Sequence, residues 1–202
     1  MTTAHIDGGF AAPVFDAQSI FHSVMHAMAE PGTVHEIDAV VQPPAALGRV
    51  AGAVALTLCD HDTVIWLDPS LARHSAVHQW LSFHCGSRIT TDMAEAQFAF
   101  VADALHLPAL SDFAQGSQEY PDRSTTIILQ VESLDDGDIS LQLRGPGILD
   151  VAEISPSSLP QGLVAQWRQN NALFPRGVDL ILTAPDALAC IARTTRIEIV
   201  ED

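Results

Sequence analysis

Segments with helical apolar spacing alternate with short apolar segments typical of buried strands along most of this sequence. The helical segments lie at residues 16–30, 45–58, 75–84 and 158–172. The strand-like segments lie at residues 33–41, 62–67, 98–102, 125–131, 139–143, 178–182 and 196–200. Because alternating strands and helices pack as layers around a sheet, the pattern predicts a layered α/β domain built on a mixed sheet.

Local signals set the predicted ends of two of these elements. Asp16 is the predicted N-cap of the first helix, which ends at the breaker pair Pro31-Gly32. The sequence Asp-Asp-Gly at residues 135–137 is typical of a tight turn. It therefore predicts that the strands at 125–131 and 139–143 pair as an antiparallel hairpin.

The size of the chain and its cysteines indicate one domain in a reducing compartment. The 202 residues, 48% of them apolar, suffice for one substantial core, so we expect a single domain over residues 1–202. Residues 1–15 have neither the basic nor the apolar region of a signal peptide, and the longest apolar run, 50–59, is too short to cross a bilayer. The three cysteines are scattered, which fits reduced thiols and a cytoplasmic protein.

The net charge excludes some classes of partner. The formal charge is −16, from 25 acidic residues against 9 basic ones. A field of that sign repels DNA, RNA and anionic membranes. We therefore expect no nucleic-acid and no membrane partner.

The basic residues exclude two further classes of chemistry, because all nine are arginines and the chain contains no lysine. A Walker-type phosphate loop needs its lysine, and a pyridoxal-phosphate enzyme needs a lysine for the Schiff base. Any bound anion must be held by arginine side chains or backbone amides.

Two histidine pairs have the spacing of metal ligands on a helix. His22 and His26 are four residues apart on the first helix, and His74 and His78 are four apart near the third. Residues with this spacing point to one helix face. A zinc site needs at least three protein ligands, however, and no third ligand stands at a suggestive spacing. We therefore expect solvated surface histidines and no metal site.

His84 lies on the apolar stripe of the third helix, at its carboxyl end. An imidazole in that position interacts favourably with the helix dipole and can bond the last carbonyls. The alternative is that it binds a ligand or acts as a general acid or base. No partner acid is identifiable from the sequence, which favours the first interpretation, and His84 stays a candidate ligand-binding residue.

Two turns place an arginine beside a proline just before a buried strand. One is Tyr-Pro-Asp-Arg-Ser at 120–124, and the other contains Arg176. Arg123 and Arg176, with Asp122, are candidates for binding a phosphate or phosphonate, because a guanidinium can bind such an anion bidentately. The alternative is structural: Arg123 pairs with Asp122 or caps backbone carbonyls, and Arg176 pairs with Asp179. Ligand crevices in α/β sheets usually follow the strands, which favours a structural or interface role.

Polar residues interrupt the apolar stripe of the last helix at Asn170 and Asn171. A buried amide must find a hydrogen-bond partner, which here is a backbone group, a ligand or another subunit. We treat both asparagines, together with Tyr120, as candidates for a structural or interface role.

A series of short segments, taken in order, carries a family resemblance. They include Met-Ala-Glu-Pro-Gly-Thr at 28–33, Phe-His-Cys-Gly at 83–86, Tyr-Pro-Asp-Arg-Ser at 120–124, Phe-Pro-Arg-Gly-Val-Asp at 174–179 and Arg-Thr-Thr-Arg at 193–196. Further matching segments lie at 9–14, 56–63, 80–81, 145–148 and 170–173. Together they resemble the H subunit (PhnH) of the bacterial carbon–phosphorus lyase complex over nearly the whole chain.

This resemblance implies a three-layer α/β/α domain similar to the fold of pyridoxal-phosphate-dependent transferases, but without that cofactor. It also implies a core assembly with the G, I and J subunits. With the G and I subunits, the family supports transfer of the ribose triphosphate of ATP onto a phosphonate, which forms ribose 1-phosphonate 5-triphosphate and releases adenine. The iron–sulfur radical step belongs to the J subunit, so no cofactor and no cluster ligands are expected in this chain.

Two hypotheses follow for the role of the chain. In the first it is an assembly subunit that is not active alone and whose partners carry the chemistry. In the second it contributes arginines directly to a site for ATP or phosphonate. A chain this apolar is also expected to reserve a surface for a partner, so we expect a homodimer when it is isolated.

Overall fold

The computed structural model describes residues 7–38 and 40–200. The helices are α1 (Pro13–Ala29), α2 (Arg49–Leu58), α3 (Pro69–Ala72), α4 (Ser75–His84) and α5 (Leu163–Ala172). The strands are β1 (His35–Glu36), β2 (Val64–Leu67), β3 (Arg88–Thr90), β4 (Phe98–Val101), β5 (Thr126–Gln130), β6 (Leu141–Arg144), β7 (Ala152–Ile154), β8 (Asp179–Thr183), β9 (Ala187–Ile191) and β10 (Arg196–Ile199). Within the described residues, no helix has the length and apolar character needed to span a bilayer.

A seven-stranded mixed sheet forms the centre of the molecule, with the strand order β1-β9-β8-β5-β4-β2-β3. Strands β3, β2, β4, β5 and β8 run parallel to one another, whereas β9 is antiparallel to β8 and β1 is antiparallel to β9. Strands β10, β6 and β7 form a separate antiparallel sheet. The parallel strands place the segments that precede β5 and β8 at the same edge of the large sheet.

The large sheet separates two apolar cores. Along β5 the side chains alternate between them, because successive side chains of a strand point to opposite faces. Ile128 packs with α1, α2 and α4 on one face, whereas Ile127 and Leu129 pack with α5 and the small sheet on the other. The molecule is therefore a layered α/β structure on a large mixed sheet, as predicted, and the small sheet accompanies α5 in the third layer.

Several predicted elements are confirmed. Helix α4 has the predicted bounds, and β2, β4 and β5 lie within the predicted segments. Helices α2 and α5 begin later than predicted, at Arg49 and Leu163.

The predicted hairpin across residues 135–137 is wrong. Strand β5 belongs to the large sheet, and β6 pairs instead with β7 and β10 in the small one. Leu143 of β6 lies opposite Ile197 of β10 and Ala152 of β7. The turn sequence therefore marks a change of layer and not a reversal within one sheet.

The ends of α1 also differ from the prediction. The N-cap is Ala12 and not Asp16, because the helix begins at Pro13, a residue that suits the first helical position. Asp16 still satisfies this end of the helix, since the Ala12 N–H donates to its carboxylate at 2.8 Å. The strand predicted at 33–41 contracts to β1, and Ala39 of that segment lies outside the described residues.

Candidate functional site

Three segments meet at the amino-terminal edge of β5 and β8. A short helical turn at Pro121–Arg123 precedes β5, and residues 173–178 precede β8. Residues 192–195 follow β9, and β9 is antiparallel to β8, with Ile191 opposite Leu180. The carboxyl end of β9 therefore lies beside the amino end of β8. We call the polar side chains and carbonyls that join these segments the arginine cluster; its centre is Arg193.

Arg193, in the segment after β9, bonds to residues in or next to both of the other segments. Its Nε lies 3.1 Å from both carboxylate oxygens of Asp179, and its Nη2 also bonds that carboxylate. Nη2 donates to Ser124 Oγ at 2.6 Å, and Nη1 donates to the carbonyls of Pro121 at 2.8 Å and Pro175 at 3.3 Å. A guanidinium has five N–H donors, and each of these has a protein acceptor here. The cluster is therefore a structural joint that leaves Arg193 no donor for a ligand.

Asn170 and Asn171 find backbone partners beside the cluster. The Asn170 side chain is buried, accepts from Val178 N at 2.8 Å and donates to Val178 O at 2.9 Å. Asn171 donates to Arg193 O at 2.8 Å. Gly177 has a φ of +121°, and a Cβ there would lie 2.8 Å from Asn170 Oδ1, so this position requires glycine. Of the three kinds of partner that the sequence left open, both asparagines bond to backbone groups.

The predicted ion pair between Arg176 and Asp179 is wrong, and Arg123 contacts an aromatic ring. Asp179 pairs with Arg193 and not with Arg176. The Arg123 guanidinium lies 4.1 Å from the centroid of the Tyr120 ring, a cation–π contact. Within residues 7–38 and 40–200, no ion pair joins Arg123 to Asp122.

The surface around the cluster combines aromatic and arginine side chains. Tyr120 is 52% exposed and Phe174 is 60% exposed, and Arg123 and Asp122 are exposed beside them. Arg176 is half-buried, and its Nε is buried without a hydrogen-bond partner among residues 7–38 and 40–200. Exposed aromatic rings with arginines are typical of protein–protein contact surfaces. We call Tyr120, Arg123 and Phe174 the aromatic rim.

His84 lines a separate cavity of about 510 Å³ between α1, α2 and α4. Gly9 approaches it so closely that a Cβ there would lie 2.9 Å from His84 Cε1. The imidazole packs between Trp80 and Phe83, with ring centroids 4.9 and 5.0 Å away. Within the part of the chain that the structure describes, its Nε2 is buried without a hydrogen-bond partner. The structure therefore does not bring His84 together with the arginine candidates.

The buried cysteines are poor nucleophiles. Burial, and secondarily the negative charge of Asp60, raises the pKa of the Cys85 thiol to about 12. Burial raises the thiol pKa of Cys59 and of Cys190 as well, with smaller contributions from nearby charges. Since the thiolate is the reactive form, these side chains stay unreactive at neutral pH.

The surface histidines are more clustered than their spacing indicated. The ring centroids of His22 and His26 are 6.5 Å apart, and those of His26 and His35 are also 6.5 Å apart. His78, by contrast, bonds the carbonyl of Ala72 at 2.9 Å. The structure thus supplies a third imidazole beside the first pair.

Sequence reasoning missed the central residue of the arginine cluster. Arg193 was noted only as part of the segment Arg-Thr-Thr-Arg, and its partner Asp179 was assigned to Arg176. A signal that could have indicated Arg193 is the apolar run at residues 187–191, just before it. This run forms β9, which pairs with β8.

Comparisons with known proteins cover both the arginine cluster and the His84 cavity. The model of a family described as "Bacterial phosphonate metabolism protein (PhnH)" matches residues 8–198. The "Alpha-D-ribose 1-methylphosphonate 5-triphosphate synthase subunit PhnH" of Rhizobium meliloti (strain 1021) is 48% identical over 191 residues, which cover 95% of this chain and 94% of that protein. The "Putative C-P lyase subunit protein HtxG" of Stutzerimonas stutzeri is 37% identical over 84 residues, 42% of this chain and 43% of that protein.

Proposed function

This chain belongs to the PhnH family of bacterial phosphonate metabolism proteins, and from that premise we propose that it is a subunit of the carbon–phosphorus lyase core complex. In that complex it supports formation of ribose 1-phosphonate 5-triphosphate from ATP and an alkylphosphonate. The observation that carries this proposal is the similarity to the Rhizobium synthase subunit, which extends over nearly the full length of both proteins.

The role that the geometry supports best is assembly and not chemistry by this chain alone. The donors of Arg193 are all used within the chain, and the three thiols are held protonated by burial. The arginine cluster holds together the segments at the amino-terminal edge of the parallel strands. These segments carry the exposed side chains of the aromatic rim. Such a preorganised surface loses little conformational entropy when it binds a partner.

We propose that the aromatic rim contacts another subunit of the complex. The expected partners are the G, I and J subunits, and the isolated chain is expected to pair with itself through an exposed apolar surface. Tyrosine and arginine side chains carry a large share of the binding free energy of protein interfaces, which supports Tyr120 and Arg123 as the anchors.

Direct ligand binding is the alternative, and specific observations favour keeping it. The Nε of Arg176 and the Nε2 of His84 are buried polar atoms without a hydrogen-bond partner in the described chain. A buried donor without an acceptor is costly, so a bound group that satisfies it stabilises the protein. In this alternative Arg176, Arg123, Asp122 and His84 contribute to sites for ATP or phosphonate.

The remaining features of the proposal concern the molecule as a whole. We propose a single domain over residues 1–202 in the cytoplasm, with a fold similar to that of pyridoxal-phosphate-dependent transferases. Two apolar cores that share one sheet support the single domain. The chain contains no lysine for a Schiff base, which supports a fold used without pyridoxal phosphate. We also propose that the chain holds no iron–sulfur cluster.

Co-purification tests the proposal. The chain is co-expressed with the G, I and J subunits of its source, and the complex is isolated through a tag on the G subunit. Tyr120→Ala and Arg123→Ala are expected to lower the amount of this chain recovered at least tenfold, while circular dichroism of the isolated variants stays unchanged.

Arg73→Ala is the matched control, because Arg73 is an exposed arginine that follows β2 at the opposite edge of the same parallel sheet. A full complex that contains the Arg123 variant but has lost turnover would contradict the assembly role and favour the alternative. Titration calorimetry of the isolated chain with ATP and with methylphosphonate then decides whether it binds either ligand. A titration repeated at high salt tests whether arginines hold the ligand, because salt weakens binding between exposed charges.

A further inference from the structure

Three imidazoles lie near one another where α1 ends and β1 begins, with His26 within 6.5 Å of each of the other two. His22 and His26 are exposed on α1, and His35 is half-buried in β1. The ring centroids of His22 and His26 are 6.5 Å apart, as are those of His26 and His35. We call these residues the histidine row.

A hydrogen-bond chain fixes the tautomer of His35. Thr33 Oγ1 donates its only proton to Glu30 O at 2.7 Å. Its oxygen must therefore be the acceptor in the contact of 3.0 Å with His35 Nε2, so that nitrogen carries the hydrogen. Neutral His35 then has its lone pair on Nδ1. A ring N–H held by an oxygen acceptor is the usual arrangement of an imidazole that binds a metal ion through its other nitrogen.

We propose that His22, His26 and His35 bind one divalent transition-metal ion of the zinc and copper class. Imidazole suits these ions and does not suit magnesium or calcium, which prefer oxygen ligands. The spacing of four residues places His22 and His26 on one face of a rigid helix, and β1 supplies the third ligand. The ligand atoms of the three imidazoles do not all lie within 4.8 Å of one another, so the rings must rotate to share one ion. His22 and His26 are exposed, which leaves their side-chain torsions free to change.

The histidine row differs from another group of metal-ligating residues on the surface. Asp60, His61 and Asp62 have ligand atoms within 4.8 Å of one another, and all three are exposed. They are consecutive residues of one loop, and Asp60 Oδ1 already accepts from Asp62 N at 2.9 Å. Two hard carboxylates with one imidazole also select less strongly for zinc or copper than three imidazoles do. This loop therefore serves as the internal control.

Metal binding at the histidine row would tie the end of α1 to β1, the short edge strand of the large sheet. Three protein ligands leave a fourth position of a tetrahedral ion open to water or to a ligand from a partner. The proposal rests only on these side chains and does not depend on the function proposed above.

Calorimetric titration of the isolated full-length chain with zinc chloride, and separately with copper(II) chloride, tests the site. The chain carries a tag without histidines, because a polyhistidine tag would bind the same ions. We expect one equivalent of metal per chain. His26→Ala removes the ligand shared by both pairs and is expected to weaken binding at least a hundredfold, and His22→Ala and His35→Ala at least tenfold each.

The metal affinity of Thr33→Val distinguishes an organised metal site from histidines that happen to lie on the surface. It keeps the shape of the side chain and removes the oxygen that orients His35, and loss of such an orienting partner costs about tenfold to a hundredfold in affinity. His61→Ala is the matched control and is expected to bind metal like the unmodified chain. The proposal is overturned if the chain binds no stoichiometric metal, if His26→Ala binds as tightly as the unmodified chain, or if His61→Ala abolishes binding.

Discussion

The carboxylate of Asp179 and the guanidinium of Arg193 form an ion pair that joins the beginning of β8 to the end of β9, with side chains only 16% and 15% exposed. The Arg193 N–H also donates to Asp179 Oδ1 at 2.7 Å, so the carboxylate holds both the backbone and the side chain of its partner. Through Arg193 the pair extends to Ser124, just before β5. Arg193 therefore links three segments that are distant in the sequence.

Loss of Arg193 is expected to destabilise the protein strongly. Arg193→Ala leaves the carboxylate of Asp179 with little solvent and without its charged partner, which lowers the free energy of unfolding by about 3 kcal/mol. Urea denaturation followed by circular dichroism measures the change. Arg88→Ala is the matched control: the Arg88–Glu95 pair at 3.2 Å is more than half exposed, so its loss is expected to cost less than about 1 kcal/mol. Equal losses in the two variants would show that Arg193 is not a structural joint.

Asn170, close to the Asp179–Arg193 ion pair, also stabilises the beginning of β8, but through hydrogen bonds of an uncharged side chain. Asn170→Ala leaves the N–H and the carbonyl of Val178 buried without partners, and we expect the free energy of unfolding to fall by about 2 kcal/mol. The comparison is Gln169→Ala, which removes an exposed amide from the same helix. Thermal denaturation of the two variants should separate them clearly. If the melting temperatures coincide, the two hydrogen bonds of Asn170 contribute nothing measurable.

The sequence predicted elements well where one local pattern decides the outcome. Helix α4 has an apolar stripe of helical period along its whole length, and its bounds were predicted correctly. The turn at 135–137 has an equally clear local pattern, yet β6 pairs with β10, more than fifty residues later. Local turn chemistry fixes a reversal of the chain, but the choice of strand partner depends on long-range packing that no local pattern contains.

The centre of the candidate site was missed for a related reason. Strand β9 was not predicted, because its sequence Ala-Leu-Ala-Cys-Ile is short and continuously apolar and has no strand alternation. Without β9 nothing indicated that Arg193 returns to the beginning of β8. Asp179 was therefore assigned to the nearer Arg176. The histidine row escaped prediction likewise, since His35 approaches His26 only after the chain reverses at Pro31-Gly32.

Replacing His84 separates a structural from a functional role for its ring. Its Nε2 is buried and has no hydrogen-bond partner among the described residues, so His84→Phe keeps a planar ring between Trp80 and Phe83 and removes a polar atom unsatisfied by them. We expect the free energy of unfolding to stay the same or rise by up to about 1 kcal/mol. His78→Ala on the same helix loses a hydrogen bond to Ala72 and should lower it by about 1 kcal/mol.

Urea denaturation of both variants provides the measurement. A large loss of stability in His84→Phe would mean that Nε2 makes a contact essential to the fold. A stable His84→Phe protein that assembles normally but abolishes synthase turnover would identify His84 as a functional residue and support the ligand-binding alternative.

The thiols make the stability of the protein sensitive to alkaline pH. In the unfolded chain a cysteine ionises near pH 9, whereas burial raises the pKa of Cys85 to about 12 in the folded protein. Between these values the unfolded state has lost a proton that the folded state keeps. The contribution of Cys85 is therefore fully present below about pH 9, and it is lost as the pH rises towards 12, by about 1.4 kcal/mol for each pH unit.

The absence of lysine makes this effect measurable, because arginine stays protonated and few other groups titrate in that range. We expect the free energy of unfolding, from urea denaturation under reducing conditions at pH 8, 9, 10 and 11, to fall steadily above pH 9. Cys85→Ala removes one of the three thiols, so its curve should be shallower by about 1.4 kcal/mol for each pH unit. The small cavity it leaves lowers the whole curve without changing its slope. Parallel curves for the two proteins would mean that Cys85 ionises equally in the folded and unfolded states.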